Sequence, residues 1–196
     1  YIVSVIVGLC GVLSAEASAQ NCSTSNVLDP GFYKDIKTGL HEDTVTKVLH
    51  QKGIMEGCNA DQFCPNCELT RAQAALYIGR ARGVNVISCD SPYTDVTANT
   101  VSAEECGMIA ALKKEGYSVA ATSTTFEPNR AITRAEAAAM IARANFTELA
   151  VYQQKPQTFI DVKPNDWYYP YVEALTRSCI ATNCISGANK YCPGDS

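Results

Sequence analysis

The amino-acid sequence predicts a mainly α-helical protein built from tandem helix–loop–helix repeats. An aromatic-x-Asp-Val/Ile motif occurs three times, as YKDI at Tyr33, YTDV at Tyr93 and FIDV at Phe159. Each motif leads into a stretch with apolar residues at helical spacing, and each stretch is followed by a polar loop that ends in aromatic-x-Pro. Two of the three copies then continue into an alanine-rich segment with the composition of a second helix.

The first nineteen residues form a segment of a different kind. They comprise an apolar run followed by small and polar residues, and they end in the Ala-Ser-Ala pattern that signal peptidase accepts. We interpret residues 1–19 as the remainder of a secretory signal peptide, with cleavage before Gln20. A membrane anchor or a buried strand is the alternative, and a poor lipobox disfavours a lipoprotein site at Cys10. Residues 20–32, which are rich in polar residues, are expected to be a flexible leader.

The composition excludes several classes of function. The chain has 196 residues, a net charge of −4 and a sequence pI near 5.2, so it offers no basic surface for nucleic acid. No window resembles a phosphate loop, a nucleophile elbow or a zinc-protease helix. We therefore predict no cofactor, no metal and no catalytic residue in these 196 residues.

The first helix of each copy is identified by its apolar stripe. The stripe residues are Val45, Val48 and Leu49 in the first copy, Ile109 and Leu112 in the second, and Val172 and Leu175 in the third. The loop after this helix has matching lengths in the first two copies, with twelve residues from Gly53 to Pro65 and from Gly116 to Pro128. The third loop, from Cys179 to Pro193, is two residues longer. A short extended piece is expected at the Asp of each motif.

The second helix of each copy starts at a threonine five residues after the proline. Thr70 opens TRAQAALYIGRARG and Thr133 opens TRAEAAAMIARAN. In the third copy the same threonine would fall at position 198, so we expect that copy to be truncated before its second helix. Linkers are expected near residues 83–92 and 146–157, where glycine and proline interrupt the helical pattern. Since one two-helix unit cannot bury its apolar face alone, the copies are expected to share a core.

These motifs together resemble the S-layer homology (SLH) repeat. The resemblance rests on the aromatic-x-Asp-Val motif, on WYYPYVEAL from Trp167 to Leu175, on aromatic-x-Pro, and on Ile-Thr-Arg-Ala-Glu at a fixed distance from the proline. It covers residues 33–84, 93–146 and the truncated 159–196. The first and third copies also resemble a cysteine-bearing subtype. The resemblance implies a pseudo-trimeric helical bundle that attaches exported proteins non-covalently to cell-wall polysaccharide, often one with acidic pyruvyl groups.

The Thr-Arg-Ala-Glu/Gln segments have two interpretations. In the first, Thr70 with Gln73, and Thr133 with Glu136, form capping boxes at the helix start. This leaves the arginines at the next position unexplained, because a cation in the first turn opposes the helix dipole by ~0.3–1 kcal/mol. In the second interpretation the whole helix start is a ligand-binding cradle for a sugar carboxylate, in which Arg71 and Arg134 join free first-turn amides. The cradle then includes the capping residues Thr70, Gln73, Thr133 and Glu136. A solvated arginine, or one paired with an acid of a neighbouring copy, is the alternative to the cradle.

Four further residues are candidates for ligand contact. The motif aspartates Asp35, Asp95 and Asp161 most often act as caps or turn residues at such positions, although the family resemblance also allows contact with sugar or with an arginine. Trp167, the only tryptophan, could stack on a sugar ring or belong to the core. Its counterparts in the other copies are His41 and Val101, so the grooves between copies are not expected to be equivalent.

Ten cysteines in an exported chain indicate disulfides. Cys58–Cys64 and Cys184–Cys192 occupy matching loops and are expected to close them locally. Cys89–Cys106 is expected to join the segment that leads into the second copy, whereas Cys22, Cys67 and Cys179 have no predicted partner. A redox pair in CPNC at residues 64–67 and a zinc site with His41 or His50 are disfavoured alternatives.

The predicted function is binding to a cell-wall polysaccharide or a peptidoglycan-linked polymer on the bacterial surface, without catalysis. Two alternatives remain open. The chain could be the anchor of a longer secreted polysaccharide-degrading enzyme with an attached C-terminal domain. It could also self-associate into a surface layer or filament.

Overall fold

A computed structural model of the chain describes residues 32–39, 41–185 and 187–196. It contains five α-helices and one 3₁₀-helix in this part of the chain. They are α1 His41–Gln51, α2 Arg71–Ala81, α3 Ala103–Lys114, α4 Arg134–Asn145, a 3₁₀-helix Leu149–Gln154, and α5 Tyr169–Arg177. The predicted signal peptide and most of the predicted leader lie outside the described residues.

The mainly α-helical fold is confirmed. The described residues form no β-strand, and the single isolated bridge joins Thr70 to Ala131. The predicted pairs correspond to α1 with α2 and to α3 with α4, and α5 is the first helix of the third copy. A pseudo-trimeric arrangement of the copies stays a prediction. In the part of the chain that is described, no helix has both the length and the apolar character that crossing a membrane requires.

The alanine-rich second helices lie at the centre of the molecule. α2 packs against α3 of the next copy, α4 packs against α5 of the next copy, and α2 and α4 also touch each other. Small residues allow this close packing, since a Cβ at Gly79 would lie only 2.1 Å from the Sδ atom of Met108 on α3. Each second helix therefore completes its hydrophobic contacts on the copy that follows it.

The hydrophobic core has one large part and one small part. The large part extends over α2 to α5 and includes Phe126, Ile132 and Met140, each almost fully buried. The small part lies on α1, where Val45, Leu49 and Met55 pack together. Tyr77 of α2 contacts both parts and joins α1 to the rest of the protein.

Two predictions about local structure need correction. The motif at each Asp is a tight turn rather than an extended piece, because the amide of the residue after the Asp donates to the carbonyl of the motif aromatic. Ile36 N donates to Tyr33 O at 3.2 Å, and the other two copies make the same bond. The linker at residues 146–157 is also not wholly irregular, since it holds the 3₁₀-helix, which packs against α5.

Candidate functional site

The three motif aspartates each hold the distant end of their own loop. Asp35 accepts hydrogen bonds from the amides of Phe63 and Cys64 at 2.8 and 2.7 Å, one on each carboxylate oxygen. In the other copies, the aspartates accept the matching bonds from the aromatic-x-Pro residues. The pairs are Asp95 with Phe126 and Glu127 in the second copy, and Asp161 with Tyr191 and Cys192 in the third.

The residue between the aromatic and the proline explains why an aspartate is needed there. Cys64, Glu127 and Cys192 have φ angles of 60°, 57° and 56°, a left-handed conformation that is unfavourable for residues other than glycine. Two hydrogen bonds to a carboxylate compensate for this cost in each copy. Burial opposes ionisation of Asp35, but the amide hydrogen bonds outweigh it and lower the pKa of the carboxyl. The geometry supports the turn-forming interpretation of these aspartates.

The capping boxes are present at both second helices. Thr70 Oγ1 accepts from Gln73 N at 3.2 Å while Thr70 N donates to Gln73 Oε1 at 3.0 Å, and Thr133 makes the same two bonds with Glu136. A third box, which the sequence analysis missed, joins Ser102 to Glu105 at the start of α3. Its signal was the Ser-x-x-Glu spacing in SAEE at residues 102–105.

The prediction that the starts of α2 and α4 hold free amide donors for an anion is wrong. Arg71 N donates to Arg130 O at 2.9 Å, and Ala72 N donates to Pro128 O at 2.9 Å. At α4, Arg134 N and Ala135 N donate in the same way to the backbone of the third copy, at 2.7 and 3.0 Å. The loop of the following copy supplies these carbonyls, so the helix start is already satisfied by protein.

Arg71 of the first copy is buried and bonds to the second copy, and we call this connection between copies a joint. Its side chain has no exposed surface, and its Nε donates to Phe126 O at 2.7 Å while Nη2 donates to Val119 O. The guanidinium also lies 4.7 Å from the centroid of the Phe126 ring and forms an ion pair with Glu136 at 2.9 Å. In this structure a ligand in solution cannot reach Arg71. The contacts of Arg71 agree with the alternative interpretation, an arginine paired with an acid of a neighbouring copy.

Arg134 makes the same joint between the second and third copies but remains half-buried. Its Nε donates to Tyr191 O at 2.9 Å and its Nη2 to Thr182 O at 3.2 Å, and the guanidinium lies 4.6 Å from the Tyr191 ring centroid. Burial raises the pKa of Tyr191 to about 12, so its ring stays neutral below the guanidinium. Unlike Arg71, Arg134 lies on the wall of an open groove.

This groove is formed where the three copies meet, and it has a volume of about 710 Å³. The first copy contributes its loop together with Gln73 and Tyr77, the second contributes Arg134, and the third contributes its last residues. Ser196 Oγ donates to Glu68 Oε1 at 3.1 Å, which bridges the first and third copies across the groove. The convergence of the three copies on one groove was not predictable from the sequence, because a comparison of repeats does not show how the repeats pack against each other.

The charge of the groove is mixed. Arg134 is accompanied by three carboxylates, those of Glu56, Glu68 and Asp195. A ligand carboxylate is therefore attracted only at the Arg134 end, whereas sugar hydroxyls can donate hydrogen bonds to the carboxylates elsewhere. The groove suits a polyhydroxylated ligand with a single localised acidic group.

Trp167 lies at the surface, with 53% of its area exposed, so it does not belong to the core. Its ring meets those of Tyr168 and Tyr171 edge-on, at centroid distances of 5.5 and 6.3 Å. Arg143 steadies this cluster by donating to the Tyr171 hydroxyl at 3.0 Å. Trp167 does not line the groove that holds Arg134.

The structure contains the three predicted disulfides, Cys58–Cys64, Cys89–Cys106 and Cys184–Cys192. Cys67 and Cys179 are exposed, and Cys22 lies outside the described residues. Within the described residues, no group of three or more His, Cys, Asp and Glu side chains is arranged to hold a metal ion.

Comparison with known proteins gives two similarities. Residues 92–138 match the family model described as the S-layer homology domain. The chain is also 32% identical over 112 residues to a protein from Bacillus sp. (strain KSM-635) named endoglucanase. That alignment covers 57% of this chain but only 11% of the relative.

Proposed function

We propose that this chain attaches an exported protein non-covalently to wall polysaccharide, because part of it matches the S-layer homology domain, a type of module that anchors proteins to the cell wall. The family match at residues 92–138 is the observation that carries the proposal. The groove between the copies supports it, because it has the size of a small-molecule site and is lined by hydrogen-bonding side chains.

We further propose that the groove takes an acidic sugar, such as a pyruvylated one, with its carboxylate at Arg134. A charge-assisted hydrogen bond from the guanidinium contributes roughly 1.5–3 kcal/mol. Gln73 and Tyr77, which also line the groove, offer an amide and a phenol to the sugar ring. Of the two arginines predicted to bind, Arg134 lines the groove and Arg71 is buried, which supports Arg134 for this role.

Sedimentation with purified cell-wall sacculi tests the proposal, using Arg134→Gln. We expect wild type to pellet with the sacculi and Arg134→Gln to bind at least about tenfold more weakly, since tenfold corresponds to 1.4 kcal/mol. Arg177→Gln is the matched control. Arg177 also donates to a backbone carbonyl, at 2.7 Å, but it does not line the groove. Equal losses in the two variants would show that Arg134 acts only as a structural joint.

The sign of the ligand charge is tested by Glu68→Gln. Removing one carboxylate from the groove should strengthen binding of an acidic polymer, because it removes a repulsion, and the effect should shrink at high salt. Sacculi from which the pyruvyl groups have been removed chemically serve as the control, and on these the variant should bind like wild type. Weaker binding of Glu68→Gln to untreated sacculi would contradict an acidic ligand.

A second candidate function is favoured by the similarity to the endoglucanase. We propose that this chain is the anchoring part of a longer secreted enzyme that degrades polysaccharide. Sequencing the full reading frame tests this directly. A neighbouring domain with a pair of catalytic carboxylates would support it, and a reading frame that holds S-layer homology repeats alone would exclude it.

A further inference from the structure

In the first two copies the motif tyrosine contacts a long polar side chain of the first helix, and in the third copy both residues are replaced by smaller ones. In the first copy, the hydroxyl of Tyr33 lies 2.9 Å from His50 Nδ1. In the second, Lys113 lies 5.3 Å from the ring centroid of Tyr93. The third copy has Phe159 in place of the tyrosine and Thr176 in place of the long polar side chain.

A second replacement concerns the partner of the Tyr93 hydroxyl. In the second copy this hydroxyl lies 3.0 Å from Ser118 Oγ, whereas the third copy has Ala181 at the equivalent place. The equivalence is seen in the backbone, since Ser118 N donates to Leu112 O and Ala181 N donates to Leu175 O. The third copy therefore lacks both hydroxyls of the Tyr93–Ser118 pair.

An open cavity of about 480 Å³ lies beside these replacements. Phe159, Thr176 and Ala181 line it, and the longer loop of the third copy contributes Asn183 and Asn189. Thr176 Oγ1 is buried and has no hydrogen-bond partner in the described part of the chain. A buried hydroxyl without a partner is unfavourable, so a ligand group that bonds to this atom is favoured.

The chemistry of the cavity wall indicates the ligand. None of the residues that line the cavity is charged, so an ionised sugar finds no counter-charge there. Asn183 Nδ2 donates to Ile185 O and Ala188 O, which fixes the amide group while neither bond engages its oxygen. An acetamido group matches this wall, because its carbonyl can accept from Thr176, its N–H can donate to an amide oxygen, and its methyl can pack on Phe159.

We propose that this cavity of the third copy is a second carbohydrate site, which binds a neutral acetamido sugar through Thr176. The inference rests on the proposed function only for the source of the sugar, a wall polymer. The site is separate from the groove at Arg134, since the two share no lining residue.

The test is an NMR titration of the protein with the trisaccharide of N-acetylglucosamine, compared with cellotriose, which has a hydroxyl in place of each acetamido group. We expect shifts at Thr176 and Asn189 with the first sugar and at least a fivefold weaker response to the second. Thr176→Val should weaken binding at least fivefold without lowering the melting temperature. Thr46→Val is the control, because that hydroxyl bonds within α1, and it should bind like wild type.

A variant that restores the filled cluster provides the second test. Phe159→Tyr with Thr176→His recreates the pair of the first copy and should abolish binding of the acetamido sugar. Equal binding of both trisaccharides by wild type, no binding of either, or unchanged binding by Thr176→Val would overturn the inference. Sedimentation with sacculi is measured on the same variants, so failure of this site is distinguished from failure of the proposed wall binding at Arg134.

Discussion

Replacing Arg71 with methionine tests whether the arginine of each second helix joins one copy to the next. Methionine keeps much of the side-chain length but removes the guanidinium. Its loss leaves the carbonyls of Phe126 and Val119 buried without a donor and breaks the ion pair with Glu136. Glu136 itself keeps Arg130 at 2.6 Å, so no carboxylate is left uncompensated.

The expected loss is about 2–6 kcal/mol in the free energy of unfolding, because each of the two buried carbonyls left without a donor costs about 1–3 kcal/mol. With an m-value of about 2 kcal/mol/M, the urea midpoint should fall by roughly 1–3 M. The measurement is urea unfolding followed by far-ultraviolet circular dichroism, because Trp167 is too exposed to report on the core.

Arg80→Met is the matched control, since it is the same substitution on the same helix. Arg80 pairs with Glu104 and Glu56, whose side chains are 46% and 68% exposed. Such pairs contribute about 0–1 kcal/mol. If Arg71→Met costs no more than Arg80→Met, the buried joint does not stabilise the assembly of copies and the reasoning fails.

Three further predictions concern acid, the removal of one disulfide, and the exposed tryptophan. Burial opposes ionisation of Glu136, but hydrogen bonds and Arg71 outweigh it and lower its pKa below the usual 4.5, and the pKa of Asp35 is also lowered. Their stabilisation is complete above the unfolded pKa and is lost as pH falls through the folded one, so the urea midpoint should drop below about pH 4.5 and stay level above pH 6. Removing Cys184–Cys192 by a double alanine substitution should cost about 2–3 kcal/mol, and a melting temperature equal to that of wild type would contradict this. Trp167→Ala should change stability by less than about 0.5 kcal/mol but weaken sacculus binding about fivefold if the ring stacks on sugar, whereas unchanged pelleting would assign it no role in binding.

The local structure could be predicted from the sequence because its causes are local. Thr133 and Glu136 form a capping box through bonds that span three residues, and the spacing of cysteines in matching loops indicated Cys58–Cys64. The surface position of Trp167 was not decided by the sequence, since an aromatic residue at a helix start is compatible with either the core or the surface.

The role of Arg71 could not be predicted from its own repeat. Its partners, Phe126 O and Val119 O, are backbone atoms 55 and 48 residues away, and a carbonyl leaves no trace in the sequence. The same holds for the amides of Arg71 and Ala72, whose acceptors lie in the loop of the next copy. The first-turn amides therefore have no acceptor within their own repeat, but the loop of the next repeat supplies one.

The joints made by Arg71 and Arg134 have a consequence for how such repeats diversify. Both arginines are anchored mainly by main-chain oxygens, and the residues that supply them differ between the two joints, Phe126 and Val119 in one and Tyr191 and Thr182 in the other. Because every residue type carries the same carbonyl, the side chains at positions such as Val119 and Thr182 can vary while the connection persists, whereas the stacking position is aromatic in both joints. Repeats of this kind can be exchanged or duplicated in tandem without new side chains at the contact between copies. The remaining side chains of the loops can then change in ways that alter ligand binding.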